Sequence, residues 1–185
     1  MRSVAVVPPS RAHALCSRLL TAFTLFAIPG CYDGAPPPDV AKSFDLAQFQ
    51  GKWFEIAKLP RPTQTDCAGT VATYAIRADG LVDMTSTCHV GALDGPLKTM
   101  TATAKVPDAS VPAKLALDVG GFYGDYWVLE VGATYDYAVV GVPSREYLWV
   151  LSRTPTLAAA TFNGIVERAR VQKFDVDLLE PTKQL

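Results

Sequence analysis

From Lys52 onward, apolar and polar residues fall into short runs, and clusters of Gly, Pro and Asp separate these runs about every 8 to 15 residues. This rhythm is typical of an all-β barrel or sandwich. Eight strands are predicted, at residues 52–58, 68–77, 81–89, 98–106, 113–119, 125–131, 135–141 and 146–152. Because the connections between them are short, an antiparallel up-and-down meander is the simplest topology.

Residues 155–170 depart from this strand rhythm. Thr154 is a suitable N-cap, Pro155 suits the first helical position, and the apolar residues that follow recur with helical spacing. One amphipathic helix that packs on the outside of the strands is therefore predicted. Its apolar stripe comprises Ala158, Phe162, Ile165, Val166 and Ala169. Residues 174–176 are predicted to form a short extra strand after the helix.

Residues 1–30 have the features of a secretion signal, with a basic segment up to Arg18 and an apolar run at residues 19–28. That run is too short to span a bilayer as a permanent helix. The segment that ends at Cys31 resembles the lipobox of bacterial lipoproteins, which implies cleavage before Cys31 and acylation of its thiol. Ordinary signal cleavage nearby is the alternative. Tyr32, in place of an Asp after the acylated cysteine, implies delivery to the outer membrane.

Residues 31–43 contain three consecutive prolines, which favour an extended chain and cannot enter a central strand. This segment is predicted to be a tether between the lipid anchor and a single domain at residues 44–185. Several acyl chains on Cys31 would hold that domain permanently at a membrane.

The charge of the mature chain argues against nucleic-acid binding. The signal would take Arg2, Arg11 and Arg18 from the 17 basic residues, which leaves 14 against 18 acidic ones. A polyanion requires clustered Lys and Arg instead. Because His89 is the only histidine after the signal and no metal-ligating cluster is visible, no metal or other cofactor is expected.

The cysteines of the domain are Cys67 and Cys88. A secreted domain lies in an oxidising compartment, which favours a disulfide between them. Two buried free thiols are the alternative.

Three segments in order along the chain carry a family resemblance. The first, residues 44–57, contains Gly51-Lys52-Trp53; the second is residues 134–140; the third, residues 147–155, contains Trp149 and Arg153. Together they resemble the lipocalins, in particular the group of bacterial outer-membrane lipocalins and apolipoprotein D. The match extends over residues 44–179, and it implies an eight-stranded antiparallel up-and-down β-barrel with one C-terminal helix outside.

The resemblance implies that Gly51, Trp53 and Arg153 are structural residues. Gly51 allows the tight turn into the barrel, Trp53 fills the closed end, and Arg153 stacks on the indole. Strand alternation from Trp53 and Arg153 places Glu55 in the lumen as a structural carboxylate. Alternation and resemblance together predict an apolar and aromatic ligand-binding wall formed by Ala57, Tyr126, Val128, Tyr137, Val139, Tyr147 and Trp149.

An eight-stranded barrel is wide enough for one small ligand. The predicted wall suits an acyl chain or a flat hydrophobe with its polar head at the open loops. We therefore expect a non-catalytic, membrane-anchored carrier or store of a fatty acid or lysophospholipid, on the periplasmic side of the outer membrane. An envelope adaptor without ligand, or an enzyme that uses Cys67 in the cavity, are the alternatives. The sequence does not specify the oligomeric state.

Overall fold

Nine strands and two α-helices form the part of the protein that the structure, a computed structural model, describes, residues 35–184. The strands are β1 (Gly51–Lys58), β2 (Cys67–Ile76), β3 (Val82–Val90), β4 (Leu97–Lys105), β5 (Lys114–Val119), β6 (Phe122–Val131), β7 (Tyr137–Gly141), β8 (Leu148–Ser152) and β9 (Glu180–Pro181). Helix α1 (Leu46–Phe49) precedes β1, and helix α2 (Ala159–Val171) follows β8. Single turns of 3₁₀ helix lie at Pro62–Gln64 and Val176–Leu178.

Strands β1 to β8 form a closed antiparallel barrel. Each strand pairs with the next, and β1 pairs with both β2 and β8. The two-residue strand β9 pairs only with β1. This architecture confirms the predicted eight-stranded up-and-down barrel with an extra strand and a C-terminal helix.

Two apolar clusters lie on opposite sides of the barrel wall. The inner cluster fills part of the lumen around Phe49, Trp53 and Tyr126. The outer cluster joins the barrel to α2 and contains Ile165 and Phe174. Pro36–Leu185 form one compact unit around these two clusters.

A bulge in β1 changes which side chains point inward. The register of β1 against β8 shifts between Glu55 and Ala57, so that these two residues lie on opposite faces of the strand. Glu55 faces the lumen, whereas Ala57 packs in the outer cluster. Simple alternation had predicted Ala57 inside, and this placement is wrong because the extra residue reverses the phase.

Strand β7 has the opposite phase from the one predicted. Val139 pairs with Val150 in the outer cluster, while Val140 pairs with Trp149, which faces the lumen. Residues directly opposite each other in an antiparallel pair share a face. Val139 and its neighbour at i−2, Tyr137, therefore lie on the outer face, and the prediction that they point inward is wrong.

The C-terminal elements begin later than predicted. Helix α2 starts at Ala159 with Ala158 as its N-cap, and Thr154 does not cap it. The Thr154 hydroxyl instead donates to the carbonyl of Thr156 at 2.7 Å, within an extended link. The extra strand is Glu180–Pro181 rather than residues 174–176; Phe174 and Val176 instead pack in the outer cluster, and Val176 begins a 3₁₀ turn.

The predicted tether is only partly separate from the domain. Ala41 donates its backbone N–H to the carbonyl of Val128 at 3.0 Å, and Arg145 donates to the carbonyl of Pro36. Part of the predicted tether therefore contacts the barrel, at Pro36 and Ala41. The predicted signal at residues 1–30 and the predicted acylation site at Cys31 lie outside the described residues.

Candidate ligand cavity

The closed end of the barrel is filled by aromatic rings from α1, β1 and β2. Phe49 and Trp53 are both fully buried, with ring centroids 5.1 Å apart. The Trp53 indole N–H donates to the carbonyl of Phe49 at 2.8 Å, and Tyr74 packs on Phe49 at 4.8 Å. Gly51, at the start of β1, has φ +91°, a conformation that favours glycine. This end is therefore packed with side chains.

Arg153 covers the closed end from outside and stabilises it through one stacking contact and three hydrogen bonds. Its guanidinium carbon lies 3.7 Å from the centroid of the Trp53 ring, which is the stacking that the resemblance implies. The same group donates hydrogen bonds to the carbonyls of Gln48 at 2.7 Å, Lys52 at 2.9 Å and Tyr135 at 3.2 Å. Arg153 therefore joins α1, β1 and the β6–β7 turn.

A cavity opens above these packed rings, the plug; about 480 Å³ of space free of protein atoms lies within its outline, a figure that includes solvent at the open mouth. The cavity is narrow, and only a small part of it is wide enough for a water molecule. Its apolar wall comes from five strands and comprises Ala72, Met84, Met100, Leu117 and Leu151. A narrow apolar space suits an extended chain or a flat ring.

Cations lie at the mouth, the end that carries the β1–β2 and β3–β4 loops. The guanidinium of Arg61 lies 5.0 Å from the ring centroid of Tyr147 and 5.2 Å from that of Trp149. Lys98 donates to the carbonyl of Thr63 at 2.9 Å. Neither cation has a carboxylate partner among residues 35–184. The mouth can therefore hold an anionic group.

A buried carboxyl group forms part of the cavity wall below the mouth. Glu55 is 3% exposed; it accepts from the Thr182 hydroxyl at 2.6 Å and from the Gln64 amide at 3.2 Å. Gln64 in turn accepts from the Trp149 indole N–H at 3.3 Å. Burial raises the pKa of Glu55 above its usual value, because it penalises the charged form more than these hydrogen bonds and Lys58 favour it.

Two phenols meet deeper in the cavity. The hydroxyls of Tyr74 and Tyr126 are 2.5 Å apart, and both side chains are buried. Burial raises the pKa of Tyr126 to about 12, so the group is neutral at physiological pH. Thr70 lines the same space; its buried hydroxyl lies close enough to Glu55 to help lower the pKa of that carboxyl, but it has no partner at hydrogen-bond distance within the described chain.

The C-terminal segment completes the barrel wall beside Glu55. Strands β1 and β2 pair only from Gly51 to Phe54, which leaves a gap towards the mouth. Thr182 donates its N–H to the carbonyl of Ile56 at 2.9 Å, and the carbonyl of Lys183 accepts from the N–H of Gly69 at 2.7 Å. These contacts fill the gap from both sides.

Cys67 and Cys88 form a disulfide with their Cα atoms 5.3 Å apart, which confirms the predicted bridge. It joins the start of β2 to the end of β3 near the mouth. Because the Cys67 sulfur is bonded, it offers no free thiol to the cavity.

The predicted ligand-binding residues divide into two groups. Tyr126 and Trp149 line the cavity, Val128 belongs to the inner cluster, and Tyr147 packs against that cluster beside Trp149. The remaining three belong to the outer cluster or pack against it: Ala57, Tyr137 and Val139. The Tyr137 hydroxyl donates to the Glu130 carboxylate at 2.6 Å, away from the lumen.

Several cavity residues were not predicted from the sequence. Arg61 and Gln64 lie in the β1–β2 loop, where no periodic pattern indicates which side chains point inward. Thr70 and Tyr74 had a usable signal, because both alternate with Ala72 on β2 and thus share its face.

A closed antiparallel barrel with an internal apolar cavity defines a protein that encloses a small hydrophobic ligand. A family model described as a lipocalin-like domain matches residues 44–184. The chain belongs to the lipocalin family, whose members bind small hydrophobic ligands.

Relatives come from plants, bacteria and animals. The chain is 31% identical to temperature-induced lipocalin-1 of Arabidopsis thaliana over 79% of this chain and 82% of the relative. It is also 31% identical to the outer membrane lipoprotein Blc of Escherichia coli, over 82% and 86%. Insecticyanin from the tobacco hornworm Manduca sexta shares the fold with a TM-score of 0.63 at 21% identity, over 82% of this chain and 86% of insecticyanin.

Residues 35–184 contain no helix long and apolar enough to cross a membrane. The same residues contain no group of three or more His, Cys, Asp or Glu side chains that could hold a metal ion.

Proposed function

We propose that the protein binds a single-chain lipid with an anionic head, either a fatty acid or a lysophospholipid, and carries or stores it without catalysis. The observation that carries this proposal is the narrow apolar cavity with Arg61 and Lys98 at its mouth. An acyl chain would lie along the wall formed by Met84, Met100 and Leu151, and the head would meet the two cations.

A matched pair of ligands tests the role of the mouth. Hexadecanoate and hexadecanol share a chain length but differ in charge, and binding of each can be followed by calorimetry and by quenching of Trp149. Arg61→Gln should weaken hexadecanoate binding by about tenfold, the loss of one charge-assisted contact, and leave hexadecanol binding nearly unchanged. Arg77→Gln, in an exposed ion pair beyond the other end of β2, is the control.

The result that would refute this proposal is the absence of saturable binding by either ligand. Native mass spectrometry of the purified protein gives an independent readout. A protein free of lipid by that measurement, together with no saturation, would favour an envelope adaptor. A thiol-dependent reaction is disfavoured because the Cys67 sulfur is bonded to Cys88.

We further propose that Cys31 is acylated and anchors the protein to the outer membrane on its periplasmic side. The lipobox-like sequence supports this, as does the similarity to Blc, an outer membrane lipoprotein in Escherichia coli. In a bacterial host, the wild-type protein should incorporate labelled palmitate and fractionate with membranes. Cys31→Ser should do neither, and Cys67→Ser, which leaves the anchor intact, is the control. Protease protection in intact cells, lost after outer-membrane permeabilisation, tests the orientation.

A further inference from the structure

The cavity wall carries more polar groups than an acyl chain can use. Glu55, Thr70, Tyr74 and Tyr126 all line it, and each is at most 5% exposed. Buried polar groups cost free energy unless they are hydrogen-bonded. An unsubstituted chain would cover these groups without bonding to any of them.

All of these groups have unused hydrogen-bonding capacity. The Thr70 hydroxyl lies beside Glu55 but has no partner at hydrogen-bond distance among residues 35–184. Tyr74 and Tyr126 share one hydrogen bond, which uses one phenolic proton, and no other acceptor in the described chain takes the second proton. Glu55 adds carboxyl oxygens that can each accept more than the one hydrogen bond they receive from Thr182 and Gln64.

We propose that this polar patch, formed by Glu55, Thr70, Tyr74 and Tyr126, binds a hydroxyl group on the ligand's chain. The inference rests on the proposed function, and it narrows the ligand class to hydroxylated single-chain lipids. An alcohol is both a donor and an acceptor, so it can donate to Glu55 and accept from Thr70 or a tyrosine. A keto group could only accept. A second carboxylate would meet the Glu55 carboxyl and find no cation in the patch.

The patch runs from Thr70, three residues after Cys67 near the mouth, to Tyr74 beside the closed end, and this deep end sets the position of the hydroxyl. Glu55 is two residues from Trp53 of the closed end on β1, and Tyr74 packs on Phe49 of the closed end. A head held at Arg61, at the mouth end of the same cavity, therefore places the carbons next to the carboxylate short of this deep end. The cavity should prefer a hydroxyl in the middle or at the far end of the chain over one at carbon 2 or 3.

A positional series of ligands tests this preference on the purified, delipidated protein. Hexadecanoate, 3-hydroxyhexadecanoate, a mid-chain hydroxyhexadecanoate and 16-hydroxyhexadecanoate are titrated by calorimetry. The mid-chain hydroxyhexadecanoate, 16-hydroxyhexadecanoate or both should bind about 5- to 10-fold more tightly than hexadecanoate, which corresponds to one or two hydrogen bonds. The 3-hydroxy acid should show no such gain.

Thr70→Val and Tyr126→Phe remove hydroxyls with little change in shape. For each variant we compare the dissociation constant of hexadecanoate with that of the hydroxy acid that the wild type prefers. The ratio of the first constant to the second should fall towards one. Thr73→Val, an exposed position on the outer face of β2, should keep the wild-type ratio. Far-UV circular dichroism confirms folding, and either variant alone is sufficient if the other does not fold.

The outcomes separate the two proposals. Saturable binding of all four acids with equal affinity overturns the hydroxyl site and leaves the proposed function standing. A wild-type ratio that persists in both Thr70→Val and Tyr126→Phe also overturns the hydroxyl site. No saturable binding of any acid overturns both.

Discussion

Arg153 offers the sharpest test of how the closed end of the barrel is held. Arg153→Met keeps an apolar stem over the Trp53 ring but removes the guanidinium. The substitution deletes the cation–π contact at 3.7 Å and three hydrogen bonds to the carbonyls of Gln48, Lys52 and Tyr135. Arg153→Lys keeps a cation near the ring but cannot reach three separate carbonyls.

The structure sets the expected size of the effect. A cation over an indole contributes about 1 kcal/mol at a partly exposed site. Three hydrogen bonds from a partly exposed charged donor add roughly 0.5 to 1 kcal/mol each, because water can replace each of them in part. Arg153→Met should therefore lower the free energy of unfolding by about 3 kcal/mol, and Arg153→Lys by about half of that.

Urea unfolding followed by tryptophan fluorescence and circular dichroism measures both losses. Arg77→Met is the control, because Arg77 lies in an exposed ion pair with Asp79 and its loss should cost less than about 0.5 kcal/mol. The reasoning fails if Arg153→Met lies within 1 kcal/mol of the wild type. It fails equally if the Lys and Met variants are indistinguishable, since the number of hydrogen bonds would then carry no weight.

Three further predictions concern the turn into the barrel, the bridge and the buried carboxyl. Gly51→Ala should lower the free energy of unfolding by about 1 kcal/mol or more in the same urea assay, because φ is +91° there; no change would contradict it. Loss of the bridge in a Cys67→Ala, Cys88→Ala double variant opens a loop with a sequence separation of 21 residues and should cost about 3 kcal/mol; unchanged stability after reduction of the wild type would contradict this. For Glu55, whose pKa is raised in the folded protein, the wild type loses stability as pH rises from 4.5 through that higher pKa. Glu55→Gln cannot ionise, so its stability relative to the wild type should increase over this range, and a difference that does not vary with pH would refute the sign.

The strands and the closure of the barrel were predictable because both leave local signals. Period-two runs between Gly, Pro and Asp clusters located all eight barrel strands to within a few residues. The residues of the closed end could also be predicted, because Gly51, Trp53 and Arg153 lie in recognisable segments at the first and last barrel strands. The structure places these three together as the resemblance implies.

Which side chains of the barrel wall point inward was harder to predict from the sequence, because this depends on strand pairing rather than on local pattern. No residue type around Glu55 indicates the bulge that turns Ala57 outward, and no run of alternation is long enough in β7 to fix Val139. The partners of Glu55 were out of reach for a different reason. Thr182 lies 127 residues away in the sequence, in a segment with neither strand nor helix rhythm.

The separation of the two clusters explains how a small barrel can keep space in its lumen. The outer cluster under α2 and the plug around Trp53 bury large apolar side chains, such as Ile165 and Phe174, without occupying the cavity. Hydrophobic burial is the dominant favourable term in folding. Since these side chains supply that burial outside the cavity, the wall between plug and mouth is free to hold an unpartnered hydroxyl at Thr70 and unfilled volume. Substitutions along that wall should therefore alter ligand choice more than they alter the fold.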